Sequence, residues 1–203
     1  AGIVWSNAEN IGEYTVKGVR IAMLSYQTFN LYDKLFTQVP LDIAEAKEKY
    51  DLVIVSFHWG AEKDYAPNAN QQKMGKLAID AGADLVIMHH PHVVQGIGTV
   101  GNVPVIYSLG NLMFGGTIDM SNFDGMLAQL KLRFNDDGYV GCGIELIPVL
   151  TSSSAYDGIN DYCPDLAQGE DRQRILHQVQ EDTPFPLQEQ MFFYRHSAMA
   201  DDE

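Results

Sequence analysis

Two short apolar runs flank an amphipathic stretch in the middle of the chain. Residues 52–55 (LVIV) and 85–88 (LVIM) are continuous apolar runs, which are typical of strands covered on both faces of a sheet. Between them, residues 70–81 carry apolar side chains at helical spacing, and Gly82 follows as a residue that commonly ends a helix. A strand, a helix and a strand within about 40 residues form a βαβ unit, so we expect the two strands to lie parallel in one sheet.

Hairpins and two further helices complete the predicted elements. Three hairpins are predicted from β-rich runs around turn residues: residues 14–24, 93–109 and 126–150. Residues 42–50 have a helical pattern behind Asp42, which we expect to be the N-cap. Residues 151–169 have the composition of a long loop, and residues 170–180 are predicted to form a short helix.

Composition and charge narrow the class of protein. The chain has 203 residues, 46% of them hydrophobic, which suffices for one sizeable domain or one lobe of a larger one. It carries 13 Lys+Arg against 27 Asp+Glu, a net charge of -14, and lacks the basic stripe that binds nucleic acid. No apolar run approaches the roughly 20 residues that span a bilayer. Cys142 and Cys163 permit one disulfide but define neither a disulfide scaffold nor a structural zinc site.

The histidines gather at the ends of the two central strands. His58 follows the first apolar run by three residues, and His90 and His92 follow the second run. Because ligands bind outside the carboxyl ends of the strands in open α/β sheets, both groups are expected to face one crevice. Neutral imidazole is the commonest metal ligand, so these three side chains predict a metal site. The alternative is a hydrogen-bonded core histidine at position 58 and an exposed loop at positions 90–92.

A proline lies between His90 and His92. Pro91 favours extended geometry at His90 and stiffens the corner that presents the two imidazoles. His89 is expected to point the other way if the strand continues, so it is left out of the ligand set.

Three other side chains near the strand ends are candidates for contact with a ligand. Trp59 follows His58, Glu62 lies in the same loop, and Asn111 ends another strand. Their alternatives are a core aromatic, a solvated carboxylate and a turn asparagine. Residues 77–130 contain no Lys or Arg, so an anionic substrate there would need a metal, backbone amides or another part of the protein.

Four segments occur in a fixed order along the chain: residues 56–62 (SFHWGAE), 79–84 (IDAGAD), 90–95 (HPHVVQ) and 106–111 (IYSLGN). A strand at residues 18–22 (GVRIA) precedes them. Together these segments resemble the poly-γ-glutamate capsule synthesis (CapA-like) family. The resemblance covers about residues 16–114. It implies a calcineurin-like metallophosphoesterase, a layered α/β/β/α sandwich with a mixed sheet and a site for two divalent ions, manganese, zinc or iron.

The resemblance also implies roles for individual residues. His58 and His90 would bind one metal and His92 the other, whereas Trp59, Glu62 and Asn111 are predicted as substrate contacts only from their positions near the strand ends. The aspartate pair and the asparagine motif that the superfamily carries earlier in its domain do not occur in this sequence. We therefore expect residues 1–150 to form the C-terminal half of such a domain and residues 151–203 a loop-rich extension with a short helix.

The expected function follows from the resemblance. It is metal-dependent hydrolysis in the synthesis or export of bacterial poly-γ-glutamate capsule, extracytoplasmic or at the membrane. The hydrolysis would require the N-terminal half of the domain, because three histidines supply too few ligands for a complete two-metal site, and we expect this chain alone to be inactive and to bind metal weakly. The alternatives are a phosphoesterase acting on small esters and a non-catalytic subunit that binds the polymer. The partner would be an anionic polymer or a phosphoester, and a polyanion would need a metal or a basic partner because the chain is acidic. We also expect one sheet face to be uncovered, an apolar patch for a partner or for self-association.

Overall fold

A computed structural model describes residues 2–28, 32–116 and 120–195. The elements in chain order are β1 (Gly12–Val16), β2 (Val19–Gln27), α1 (Tyr32–Lys49), β3 (Leu52–His58), α2 (Ala69–Asp80), β4 (Leu85–His89), β5 (Ile97–Val100), β6 (Val103–Ile106), β7 (Asp124–Asn135), β8 (Gly138–Leu150), β9 (Asp165–Leu166), α3 (Gly169–Glu181) and β10 (Met191–Tyr194). A short 3-10 turn lies at Ala155–Asp157.

The first sheet has six strands in the order β1-β2-β3-β4-β6-β5. Strands β2, β3, β4 and β6 run parallel, and β1 and β5 pair antiparallel at the two edges, so the sheet is mixed. Helix α2 connects β3 to β4, which confirms the predicted βαβ unit and places the carboxyl ends of both strands at one edge. Helix α2 is capped by Asn68, whose side chain accepts from the N–H groups of Asn70 and Gln71.

The second sheet is antiparallel, with strands in the order β10-β8-β7 and β9 beside β8. The long β7–β8 hairpin turns at Asn135–Gly138, as predicted. Helix α3 lies where the sequence predicts a short helix, whereas β9 and β10 were not predicted. Strand β10 pairs with β8, so residues beyond position 150 add a strand to this sheet.

Two hydrophobic cores hold the layers together, and the α/β fold class is as predicted. Helices α1 and α2 cover one face of the first sheet, where Val55, Phe57 and Met88 share a hydrophobic core with residues of both helices. The second sheet covers the other face, and Ile175 and Val179 of α3 pack into that core as well. The prediction of an uncovered apolar face is therefore wrong for the first sheet, because each of its faces has a packed layer.

Helix α1 is longer than its sequence pattern indicates. It begins ten residues before the predicted start and contains Pro40 within the helix, a residue that normally predicts a break. Asp42 is consequently not an N-cap. It lies in the middle of the helix, and its carboxylate accepts hydrogen bonds from the Tyr26 hydroxyl (2.9 Å) and the Gln38 amide (2.6 Å).

The structure tests two further sequence expectations, on membrane-spanning helices and on the cysteines. Among the described residues, no helix has the length and apolar character needed to cross a membrane. Both cysteines are free thiols, Cys142 buried and Cys163 exposed, so they do not form the disulfide that the sequence permits.

Candidate metal centre

Parallel pairing brings the histidines together. His58 is the last residue of β3 and pairs in register with His89, the last residue of β4. The ring centroids of His58 and His90 lie 4.5 Å apart, and those of His90 and His92 lie 5.8 Å apart. The three imidazoles thus converge at the carboxyl edge of the sheet, as their places in the sequence predict.

The corner that carries His90 and His92 has an unusual backbone. His90 has φ 115° and His92 has φ 61°, both in a region that L-residues rarely adopt. The predicted extended geometry at His90 is therefore wrong. Such conformations cost about 1–3 kcal/mol each and persist only where the surroundings enforce them. Here the Lys63 N–H donates to the Pro91 carbonyl (2.7 Å) and holds the corner in place.

The Glu62 carboxylate lies close to two of the histidines. One ligand atom each from Glu62, His90 and His92 lies within 4.8 Å of the others. Metal–ligand bonds of about 2.0–2.2 Å place neighbouring ligand atoms roughly 3–4 Å apart, so small side-chain movements would close this set around an ion. Imidazole with carboxylate suits zinc, manganese and iron alike. The residues present therefore fit a divalent ion, and Glu62, which is predicted as a substrate contact, lies where it could also serve as a ligand.

His58 is held by a chain of polar contacts. Its Nδ1 lies 3.2 Å from Nδ1 of His89, and Nε2 of His89 lies 3.3 Å from the Ser56 hydroxyl. Burial, followed by the neighbouring imidazoles, lowers the pKa of His58 to about 4. Burial likewise lowers the pKa of His89 and of His90. These rings are neutral at pH 7, which is the form that coordinates metals.

Asn111 fixes the orientation of His92. Its Oδ1 lies 2.8 Å from Nδ1 of His92, so the proton is on Nδ1 and the lone pair of Nε2 is directed elsewhere. The second sheet positions Asn111 through a bridge between Gly110 and Gly125. A Cβ atom at position 125 would lie 2.1 Å from the Asn111 carbonyl oxygen, so only glycine fits there.

A buried amide network anchors the loop that carries Glu62. Gln95 is fully buried, and its Nε2 donates to the carbonyls of Asp64 (2.8 Å) and Ala66 (3.1 Å). Its Oε1 accepts from Nε2 of Gln71 (2.9 Å), which ties the loop to helix α2. Because buried amides require partners, this network specifies one position for the loop.

An open cleft of about 440 Å³ adjoins His92. Its lining includes the predicted residues Glu62 and Asn111, together with Lys63, Tyr65 and Phe114. Across it, the Asn122 amide donates to the Tyr65 hydroxyl (2.9 Å). The cleft is large enough to bind part of an extended substrate.

Trp59 lies elsewhere. Its side chain is 0% exposed and packs against Phe36 and Phe57, with ring centroids 5.5 and 6.2 Å away. The structure therefore places Trp59 in the core between the sheet and α1. The core aromatic, the alternative for this residue, is therefore correct, and the ligand contact is wrong. An aromatic residue beside a strand end fits either role, so the sequence alone does not distinguish them.

Two residues near the site were missed by the sequence reasoning. His89 was expected to point away, but the register of β3 and β4 sets its ring beside His58. Lys63 lies in the loop after β3, and strand-end placement alone could have included it among the candidates.

Fold and site together define an α/β sandwich protein with imidazole and carboxylate side chains clustered at the ends of parallel strands. The chain belongs to the bacterial capsule synthesis protein family, PGA_cap, whose family model matches residues 1–116.

Individual relatives agree with this assignment. The chain is 40% identical over 96 residues to the PGA biosynthesis protein CapA of Bacillus subtilis (strain 168), covering 47% of this chain and 25% of that protein. It is 34% identical over 151 residues to the capsule biosynthesis protein CapA of Bacillus anthracis, covering 66% and 36%. A probable polyglutamine synthesis accessory protein of Mycobacterium tuberculosis is 31% identical over 100 residues, covering 48% and 26%. The chain thus spans between 25% and 36% of the length of these relatives.

Proposed function

We propose that this protein acts in the synthesis or export of poly-γ-glutamate capsule, as a metal-dependent hydrolase of the metallophosphoesterase type. Family membership and the names of the Bacillus relatives support the capsule assignment. The observation that carries the chemistry is the set of donor atoms of Glu62, His90 and His92 within 4.8 Å, beside an open cleft. The assignment also implies a location outside the cytoplasm or at the membrane, which fractionation of the native host would test.

In this proposal some side chains bind the ion and others orient the ligands. Glu62, His90 and His92 would bind the ion, with His58 beside His90. Asn111 sets the tautomer of His92, and His89 contacts Nδ1 of His58. A bound divalent ion supplies an activated water and polarises the scissile group. The cleft would orient the substrate next to this centre.

The number of donors favours one ion on this chain. Four donor side chains lie together among the described residues, and a catalytic metal commonly takes about three protein ligands plus water. A second ion, as the resemblance implies, would need further donors, including a bridging group. We propose that residues 1–150 form the C-terminal half of a metallophosphoesterase-like domain and residues 151–203 an extension, of which α3 and β10 pack on the second sheet.

Metal titration tests the proposal directly. Calorimetry of the full chain with Zn²⁺, Mn²⁺ and Fe²⁺ should show one tight equivalent for at least one of them. His90→Ala and Glu62→Gln should weaken binding at least about 10-fold, since each removes a donor. His177→Ala is the matched control, because His177 is 78% exposed on helix α3. Absence of binding, or equal binding by the His90 variant, would overturn the proposal.

The choice of substrate separates the remaining alternatives. Hydrolysis of a generic phosphodiester by the metal-loaded chain, lost in His90→Ala, would support the enzyme. Binding of γ-linked polyglutamate without any turnover would instead favour the non-catalytic, polymer-binding subunit. Turnover of small phosphate esters without polymer binding would favour an ordinary phosphoesterase.

A further inference from the structure

Lys63 is one of the cations of this acidic chain that form no ion pair among the described residues. Other cations are paired, as in Arg20–Asp51, Lys47–Asp84, Lys49–Glu45, Lys76–Asp80, Lys131–Glu145 and Arg174–Asp124. Lys63 lies between Glu62 and Asp64 in sequence, yet among the described residues it forms no ion pair with either. An unpaired ammonium beside two acids in a chain of net charge -14 is available to an anionic ligand.

The position of Lys63 is fixed by its backbone. It has φ 62°, and its N–H donates to the Pro91 carbonyl (2.7 Å) between the two corner histidines. It lines the same cleft as Glu62 and His92. The residue is therefore built into the wall of the cleft next to the metal donors, although its side chain is exposed.

Neutral donors complete this wall of the cleft. The Asn122 amide donates to the Tyr65 oxygen, so the Tyr65 O–H is left to donate in turn. The lining residues that follow Tyr65 in the chain all lie within residues 92–122, a stretch that contains no Lys or Arg. Any positive charge from a side chain in this cleft therefore comes from Lys63 among the described lining residues.

We propose that Lys63 and the Tyr65 hydroxyl form an oxyanion subsite that binds a carboxylate or phosphate group of the ligand beside the metal centre. This inference rests on the proposed function, since it places one anionic group of the substrate in the cleft next to His92. A charged hydrogen bond from an ammonium combined with a phenol suits both oxyanions. The subsite also offsets the repulsion that an acidic chain exerts on an anionic polymer.

Two probes distinguish the source of the oxyanion. A γ-linked triglutamate peptide presents carboxylates, and phenyl phosphate presents a phosphate. Binding of each to the zinc-loaded chain is measured by calorimetry at two salt concentrations. Tighter binding of the peptide assigns the subsite to carboxylates, and tighter binding of the ester assigns it to phosphates.

Matched variants test the role of Lys63. Lys63→Met should weaken the better probe at least about 10-fold and flatten its salt dependence, because a charged hydrogen bond is lost. Lys63→Arg should retain most of the affinity, and Tyr65→Phe should show a smaller loss than Lys63→Met. Lys17→Met is the control, since Lys17 lies in the β1–β2 turn at the opposite edge of the sheet.

Metal affinity separates this inference from the proposed function. Lys63→Met should bind zinc as tightly as the unchanged protein, because Lys63 is not a donor. If Lys63→Met binds the probe and zinc as the unchanged protein does, the subsite is overturned while the metal centre stands. If the unchanged, zinc-loaded protein binds neither probe at millimolar concentration, the subsite is likewise overturned.

Discussion

Nδ1 of His58 and Nδ1 of His89 lie 3.2 Å apart at the ends of two parallel strands. One of these nitrogens donates and the other accepts, so the contact sets the tautomers of both rings together. Metal coordination through Nε2 of His58 requires Nδ1 of His58 to be the donor in this contact, and Nδ1 of His89 is then the acceptor. His89, in turn, is steadied by the Ser56 hydroxyl 3.3 Å from its Nε2.

Removing the His89 contact should weaken metal binding. In His89→Phe the ring shape is kept but no hydrogen bond reaches His58, so we expect a loss of about 10-fold or more in zinc affinity. His89→Asn can place an amide near the former Nδ1 and should retain most of the affinity. Calorimetry of both variants decides the matter, and unchanged affinity in His89→Phe would contradict the assigned role.

Gly60 supports the histidine corner by having no side chain. A Cβ atom there would lie 2.8 Å from Cγ of Pro91, and the residue has φ 141°. Gly60→Ala should therefore cost about 1–3 kcal/mol of unfolding free energy and weaken metal binding as well. Gly101→Ala is the control, because it has φ 57° but nothing within 4 Å. Equal destabilisation in urea and equal metal affinity for the two variants would show that the contact with Pro91 is unimportant.

The buried amide of Gln95 should stabilise the loop that carries Glu62. Gln95→Leu removes the donor to the Asp64 and Ala66 carbonyls, and we expect the free energy of unfolding to fall by about 1–3 kcal/mol. Gln72→Leu removes a single exposed hydrogen bond to the same loop and should change stability by about 0.5 kcal/mol or less. Urea unfolding monitored by circular dichroism measures both, and equal effects would count against the network.

The two thiols should differ in reactivity. Burial raises the pKa of Cys142 to about 12, whereas Cys163 is exposed. At pH 8 a thiol reagent should therefore modify one cysteine in the folded protein and both after denaturation. Cys163→Ser should abolish the reaction of the folded protein, and Cys142→Ser should leave it intact. Rapid modification of the Cys163→Ser variant would contradict the burial of Cys142.

Asp161 should make the stability of the loop after β8 depend on pH. Its carboxylate accepts from the hydroxyls of Ser153 (2.5 Å), Ser152 (2.7 Å) and Ser154 (3.0 Å), and these bonds hold its pKa below the usual range. Because the folded pKa lies below the unfolded one, the stabilisation is present above about pH 4 and is lost as the pH falls through the folded pKa.

The measurement is the melting temperature of Asp161→Asn against pH. The variant should melt below the unchanged protein at pH 7, and the difference should shrink as the pH falls below about 4. Asp157→Asn, an exposed change in the same segment, should show no such trend. A difference that stays constant with pH would show that the charge of Asp161 is not responsible.

The central strands and α2 could be predicted because their signals are local. Strand β3 is buried along its apolar run, and α2 buries Met74 and Ala78 on one face, so burial and periodicity coincide. The first half of α1 could not be predicted, because Pro40 normally breaks a helix. The burial of Val39 and Ile43 on either side of Pro40 overrides that local signal. Strand β10 is only four residues long and depends on β8 for its partner.

The candidate site was predictable to the extent that chain order determines it. The end of each parallel strand places His58 and His90 at one edge, and a sequence shows where a strand ends. The positive φ angles of His90 and His92 are enforced by contacts from other segments, and so is the approach of Glu62. The register that sets His89 beside His58 is likewise a tertiary property.

The Gly110–Gly125 bridge makes the geometry of the proposed metal centre depend on the distance between the two sheets. Asn111 stands where the layers meet, so sliding one sheet over the other would move its amide relative to His92. The spacing of the two sheets therefore sets the position of Asn111 and, through its hydrogen bond, the position of the His92 imidazole. The second sheet contributes none of the four candidate ligands named above. Its backbone at position 125 nevertheless limits how far Asn111, and with it the His92 ring, can shift.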